Sequence, residues 1–232
     1  MAKSQVGSGK SKARSRPPVL KQYFDKLLAA YGPQHWWPGE TPTEIIVGAI
    51  LTQNTNWRNV EKAIENLRKS DLLNWVALRD VAVERLADLI RPAGYFNIKS
   101  RRLKHFVNWL WDNHSGRLEN LSLISTEKLR SDLLEINGIG PETADSILLY
   151  ALNRPSFVID AYTARILKRH DLIRVDAKYD DMKEIFESEL SSDVPLFNEF
   201  HALIVAVAKR HCRKAADCDG CPLAEFPHRT TP

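Results

Sequence analysis

The sequence predicts an all-α protein, on three observations. Apolar residues recur at helical spacing through about eleven segments, while no stretch longer than about five residues alternates with strand period. The run Ile45-Ile46-Val47-Gly48-Ala49-Ile50-Leu51 is apolar on every face, so it belongs to a helix surrounded by others, with Gly48 letting a neighbour pack close. The chain has 232 residues, 44% hydrophobic and 27% charged, enough to bury a core in one or two domains and unlike a disulfide mini-protein.

Taken in order, residues 1 to about 17 are rich in Ser, Lys, Arg and Gly and carry almost no large apolar side chain, so they are expected to be disordered. Helices are expected over 19–31, 42–53 and 56–69. His35-Trp36-Trp37-Pro38 precedes the second of these, and Gln53-Asn54-Thr55-Asn56-Trp57 follows its apolar run. Further helices are expected over 71–78, 83–90 and 98–111, the last opening on a basic run, Lys99, Arg101, Arg102 and Lys104, which we assign to packing between helices. The helix over 126–136 has Ser125 as a hydroxyl cap and Glu127 in its first turn, and Pro141 suits the first position of the helix over 141–152. Helices over 161–170, 179–190 and 195–211 complete the chain.

Charge is unevenly placed. The total is +4, yet the first 21 residues hold Lys3, Lys10, Lys12, Arg14, Arg16 and Lys21 and no acid, so the remainder sums to −2. A basic arm, either a solubilising tail or a nucleic-acid-binding segment, precedes a near-neutral body. No run of eighteen apolar residues suggests a membrane span and no secretory signal is readable, so a cytoplasmic protein is expected. Cys212, Cys218 and Cys221, an odd and clustered set, point to a metal or cluster site or to free thiols.

The most informative stretch is Ile136-Asn137-Gly138-Ile139-Gly140-Pro141-Glu142-Thr143-Ala144, lying between two helices. Ile139 can plug a two-helix core while the glycines turn the chain, and the N–H groups opening the next helix can grip a phosphate; a plain interhelical turn has the same pattern. Further on, Asp160 follows Phe157-Val158-Ile159 and starts a helix. An aspartate there is usually an N-cap, and a carboxylate held in that place can also stabilise a developing cation or orient water.

Leu51-Thr52-Gln53-Asn54-Thr55, the 136–140 hairpin, Val158-Ile159-Asp160 and the cysteine cluster together resemble the helix-hairpin-helix DNA glycosylases of the endonuclease III superfamily, over about residues 19–223, nearest to the 3-methyladenine branch. The resemblance implies two helical domains, 18–41 with 153–232 and a central 42–152 ending in the hairpin, with a cleft between them. It implies phosphate binding by Asn137, Gly138, Ile139, Gly140 and Thr143, and Asp160 as the acid that serves glycosidic-bond cleavage. Bifunctional members carry a lysine nucleophile where this chain has Glu142, and a carboxylate forms no Schiff base.

The expected activity is therefore monofunctional hydrolysis of the N-glycosidic bond of an alkylated purine such as 3-methyladenine. Trp37, Pro38, Trp57 and Glu142 would form the base pocket, with Trp36 beside them, and Gln53 and Asn54 would hold the duplex open. The tryptophans could equally pack as core. The partner is double-stranded DNA containing a damaged base, and the protein a nucleoid-associated monomer of a bacterium or archaeon. A glycosylase for oxidised pyrimidines or mismatched bases, and a non-catalytic DNA-binding module, are the competing readings.

No cofactor is required for this chemistry. Iron-sulfur members hold a [4Fe-4S] cluster on C-x6-C-x2-C-x5-C, whereas this chain reads Cys212-x5-Cys218-x2-Cys221 and has Pro227, beside His228, at the fourth position. A cluster with a non-cysteine ligand and a zinc site completed by His228 stay open. Lys209, Arg210, Arg213 and Lys214 form a phosphate-facing patch in either case. Deleting residues 1–17 should weaken DNA binding at low salt and leave the choice of lesion unchanged; a changed lesion preference in an excision panel would contradict this division.

Overall fold

The structure, a computed structural model, describes residues 18–36 and 39–230. The expected arm over 1–17 and the pocket candidates Trp37 and Pro38 lie outside the described residues. Eleven α-helices run in order as α1 (Val19–Tyr31), α2 (Pro42–Leu51), α3 (Trp57–Lys69), α4 (Trp75–Asp80), α5 (Val83–Leu89), α6 (Phe96–His114), α7 (Thr126–Glu135), α8 (Pro141–Ser146), α9 (Ala161–Arg169), α10 (Tyr179–Glu189) and α11 (Val194–Arg210). Short 3₁₀ turns lie at Arg91–Ala93 and Leu118–Leu123. The single extended pairing among the described residues is an isolated bridge between Cys212 and Ala216, so the expected all-α class stands.

Helix starts follow local chemistry. The side chains of Thr41, Asn56, Asn74, Ser125, Asp160 and Asp193 each accept a first-turn backbone N–H, satisfying donors the helix itself cannot pair. The largest shift in a helix start is that of the helix expected over 71–78, which begins instead at Trp75; the helix expected over 98–111 runs longer, over Phe96–His114. Asp71 ends α3 in the left-handed conformation (φ 56°), and Leu72 N–H turns back to the Leu67 carbonyl at 2.9 Å, so the chain must reach Asn74 before a new cap is available.

α2 fulfils its all-round apolar pattern. Ile45, Ile46, Val47, Gly48, Ile50 and Leu51 are buried, and α3, α6 and α8 pack around it. The two lysines of the basic run of α6 are spent on helix ends. Lys99 Nζ, fully buried, donates to the Leu51 and Ala93 carbonyls, both at 2.8 Å, and Lys104 Nζ donates to the carbonyls of Leu78, Arg79 and Val81 at the end of α4. A cation among carbonyls at a helix C-terminus complements the dipole there. Burial lowers the Lys99 ammonium to about 8.

α1, α9, α10 and α11 pack around Phe157, Phe186, Phe197 and Phe200; the Phe157 and Phe186 rings stack 3.8 Å apart. α8 joins this group to the helices around α2. It continues as a π-helical turn, Ile147–Ala151, in which Leu152 N–H reaches back five residues to the Ile147 carbonyl, and this turn touches both α2 and α11.

The joint is held by Asp145. Its fully buried carboxylate accepts two bonds from Arg130 on α7 (2.8 and 3.1 Å) and one from the Ser156 hydroxyl (2.6 Å), while Arg130 also pairs with Asp180 at 2.7 Å. Removing Arg130 would leave a buried charge short of its main partner. Arg130→Ala is expected to lower stability by about 3 kcal/mol, read as a shift in the urea midpoint at unchanged slope; a shift below about 1 kcal/mol would mean that the pair behaves as a surface contact.

Candidate active site

The hairpin between α7 and α8 is built around one obligatory glycine. Gly138 has φ +94°, and a Cβ there would lie 2.3 Å from Arg102 Cγ, so both its conformation and its neighbour exclude a side chain. Gly140 differs: its backbone is in the ordinary extended region (φ −95°) and nothing lies within 4 Å of a Cβ placed on it. Its value is open space beside the start of α8. Ile139 is buried as the expected plug, and Asn137 is exposed.

Around the hairpin, His105 Nδ1–H donates to the Asn137 carbonyl at 3.0 Å. Gln53 donates to the Gly138 carbonyl (3.0 Å) and the Thr143 hydroxyl (2.9 Å) and accepts from Arg102. Two expected DNA contacts are therefore turned inward. Thr143 is buried with its hydroxyl on Gln53, leaving its backbone N–H as its offer to a phosphate, and Gln53 braces the hairpin because its amide matches donors and acceptors there. Asn54, exposed and left-handed (φ 54°), faces outward.

Asp160 sits where the segment from Ser156 meets α9. Its Oδ1 accepts from Thr163 N–H (2.7 Å) and the Thr163 hydroxyl (2.9 Å), and its Oδ2 lies 3.7 Å from His201 Nε2 of α11. His201 is 4% exposed, with Nδ1 2.6 Å from the hydroxyl of Tyr150, which the π-helical turn carries. Burial, with Asp160 and Glu142 nearby, pushes the Tyr150 phenol well above its ordinary range. Burial pulls the His201 imidazole down, and the Asp160 charge opposes it.

Glu142, in the first turn of α8, belongs to the same constellation. Its carboxyl is crowded by protein yet still reached by water; desolvation first and the Asp160 charge second push it up to about 7. A duplex covering it would remove the water that screens it.

The aromatic wall observed at this site is Trp36. It is 37% exposed and meets Tyr150 edge-on at 5.1 Å, with the His201 ring 6.0 Å away. Trp57 packs elsewhere: its ring lies against Gly48 of α2, where an added Cβ would approach it to 3.3 Å. It forms one wall of an open groove of about 740 Å³ lined also by Glu44, Arg58, Glu61, Lys62 and Arg68. That groove includes neither Asp160 nor Glu142. Its alternating charges, with Arg68 paired to both Glu44 and Glu65, mark the solvated face of α3.

The HhH-GPD superfamily of base excision DNA repair proteins matches residues 47–192, which span the hairpin and Asp160. This chain belongs to that superfamily. It is 52% identical to "Putative DNA repair glycosylase MJ1434" of Methanocaldococcus jannaschii over 90% of this chain and 95% of that one. Among solved structures it is similar to the 3-methyladenine DNA glycosylase MagIII of H. pylori bound to 1,N6-ethenoadenine (29% identity, TM-score 0.68, 83% of this chain and 96% of that one). It shares its fold with an endonuclease III–DNA complex (19% identity, TM-score 0.77, 90% and 94% covered). As an HhH-GPD protein, the chain is a DNA repair glycosylase.

HhH-GPD proteins often carry a [4Fe-4S] cluster, and the cysteine loop after α11 tests whether this one fits it. Among the described residues no three His, Cys, Asp or Glu side chains come together as a metal-holding group. The space bordered by Cys212, Cys218, Cys221 and His228 is about 20 Å³, room for a single water. Arginines of α9 organise the loop: Arg169 donates to Cys212 Sγ (3.1 Å) and to the carbonyls of Arg213 and Lys214, and Arg165 donates to the Cys212 carbonyl. Three thiols around so small a space, with Arg169 on Cys212 Sγ and His228 Nδ1 turned to the Phe226 carbonyl, do not fit a cubane cluster as they are arranged. The neighbouring Lys209, Arg210, Arg213 and Lys214 are all exposed.

Sequence reasoning missed Tyr150 and His201. The one signal available was a lone histidine inside the apolar run of α11, a pattern that is more often a satisfied core residue. For the hairpin, Gly138→Ala should cost about 1–3 kcal/mol from backbone strain and more from displacing Arg102. Gly140→Ala should keep the melting temperature and weaken binding to undamaged duplex in fluorescence anisotropy; equal destabilisation by both would overturn the distinction.

Proposed function

We propose that this chain is a monofunctional glycosylase that hydrolyses the N-glycosidic bond of alkylated purines in double-stranded DNA and leaves the abasic site intact. The observation that carries the reading is the pair of carboxylates, Asp160 clamped at the start of α9 and Glu142 following the hairpin where bifunctional relatives place a lysine. The buried amine of Lys99 supplies no substitute nucleophile, because it is committed to two carbonyls.

Bond cleavage builds positive charge on the sugar, and Asp160 is the group to stabilise it and to take a proton from the attacking water. A cationic base such as 3-methyladenine leaves without further protonation. A neutral adduct needs a donor, and a Glu142 carboxyl raised toward 7 can hold one at neutral pH. Trp36, with the expected partner Trp37, would offer electron-rich faces to an extruded purine, and Pro38 an apolar edge; Trp57, packed against Gly48, is left out of this pocket. The backbone of Asn137 to Thr143 at the start of α8 and the exposed cations after α11 would hold phosphates, with Asn54 reaching toward the gap. The chain would act as a monomer. The similarity to MagIII, solved with 1,N6-ethenoadenine, supports this substrate class.

A panel of duplexes with defined lesions tests the reading. Wild-type protein should release alkylated purines, nick the strand only after alkali or heat, and give no borohydride-trapped covalent complex. Asp160→Asn should abolish release. Excision of a neutral adduct should fall as pH rises through about 7, where Glu142 loses its proton, while excision of a cationic base should not. Preference for oxidised pyrimidines, trapping by borohydride, or full activity in Asp160→Asn would each overturn the corresponding part.

A further inference from the structure

His201 is buried in the middle of α11, and its Nε2 has no hydrogen-bond partner although it points at Asp160 Oδ2, 3.7 Å away. An orphaned donor or acceptor in a protein interior is costly, so a buried one aimed at the proposed reacting acid calls for a reason. The titratable groups facing the ring are Tyr150 from the π-helical turn and Asp160 from the start of α9, with Glu142 beyond both. Phe157 and Trp36 supply the apolar walls.

Two tautomers of the neutral ring are open. If Tyr150 O–H donates to Nδ1, then Nε2 carries the proton and presents it to a carboxylate. If Nδ1–H donates to the Tyr150 oxygen, the Nε2 lone pair faces the carboxylate and repels it. The first arrangement is favoured by the charge in front of it. Thr163 already holds Oδ1 through its N–H and hydroxyl; an Nε2–H opposite Oδ2 would hold the other oxygen. Nε2 itself is sealed from bulk solvent.

We propose that His201 is a positioning residue for Asp160: Tyr150 fixes its Nε2–H tautomer, and that N–H orients the second carboxylate oxygen and favours its ionised form. The inference rests on Asp160 being the reacting acid. No proton is transferred in this role.

The test uses the full chain and the lesion best cleaved in the panel, in single-turnover assays across pH. His201→Phe should keep DNA affinity, lower the plateau rate about tenfold and move the acidic limb about one unit to higher pH, because a carboxylate that loses a donor protonates more readily. His201→Gln, which keeps an N–H at similar reach, should restore most of both, and Tyr150→Phe should shift the limb in the same direction. Imidazole nitrogen NMR of the wild type should show the neutral Nε2–H form.

An unmoved limb in His201→Phe, Gln as poor as Phe, or an Nδ1–H ring would overturn the proposal. If His201→Phe does not fold, the Gln and Tyr150 variants and the NMR spectrum decide it. Full activity in Asp160→Asn would instead sink the assignment of the acid itself, while a dead Asp160→Asn beside an unaffected His201→Phe sinks only this inference.

Discussion

A single buried charge sets the geometry on which everything else rests. Asp145 has no solvent to turn to, so it must gather its compensation from the protein, and it does so from Arg130 on α7 and from Ser156 in the segment that leads to Asp160. The Tyr179 hydroxyl, which accepts from Ile159 N–H, lies in the same cluster. One carboxylate thereby links the two helices of the hairpin to the residue just before the acid. Since an uncompensated buried charge is worse than any rearrangement that satisfies it, the hairpin and Asp160 cannot move far apart without losing the whole arrangement.

Cations are used sparingly for the same structural ends. Lys99 and Lys104 close helix C-termini, Arg102 braces Gln53 beside the hairpin, Arg154 ties the Asp160 segment to the Leu118–Leu123 turn, and Arg169 organises the cysteine loop. A body with a slightly negative sum can still hold a polyanion if contact is made as proposed, through backbone N–H groups at the start of α8 and the open space at Gly140. Contacts of that kind follow shape and phosphate spacing rather than base sequence.

The fold was legible because its signals are local. Periodicity located the helices, the side chains of Ser125 and Asp160 announced two starts correctly, and the buried character of α2 followed from seven residues. The boundary at Trp75 was not legible, since it depends on how α3 ends at Asp71. The π-helical turn was not legible either: no residue type in Ile147–Ala151 demands it, and it pays off only through Tyr150 meeting a residue fifty-one positions away. The site divided along the same line. Asp160 and Gly138 carry their roles in their own backbone positions, whereas Gln53, Thr143, Trp36 and Trp57 depend on which wall each faces, and that is a tertiary fact.

Placing a carboxylate where relatives place an amine changes more than the nucleophile. An amine beside Asp160 would complement its charge; Glu142 puts a second carboxyl there instead, and burial together with the Asp160 charge raises it. In the proposed reaction Asp160 works as an anion and draws its donors from elsewhere. Thr163 supplies two of them to one oxygen, and the only polar atom aimed at the other among the described contacts is Nε2 of His201. Burial first and the Asp160 charge second raise the Glu142 carboxyl to about 7, so near neutral pH it can hold a proton beside Asp160. In the proposed hydrolysis of a neutral adduct, Asp160 serves as the base and Glu142 as the proton donor, and Glu142, unlike a lysine amine, offers no nucleophile for a covalent intermediate.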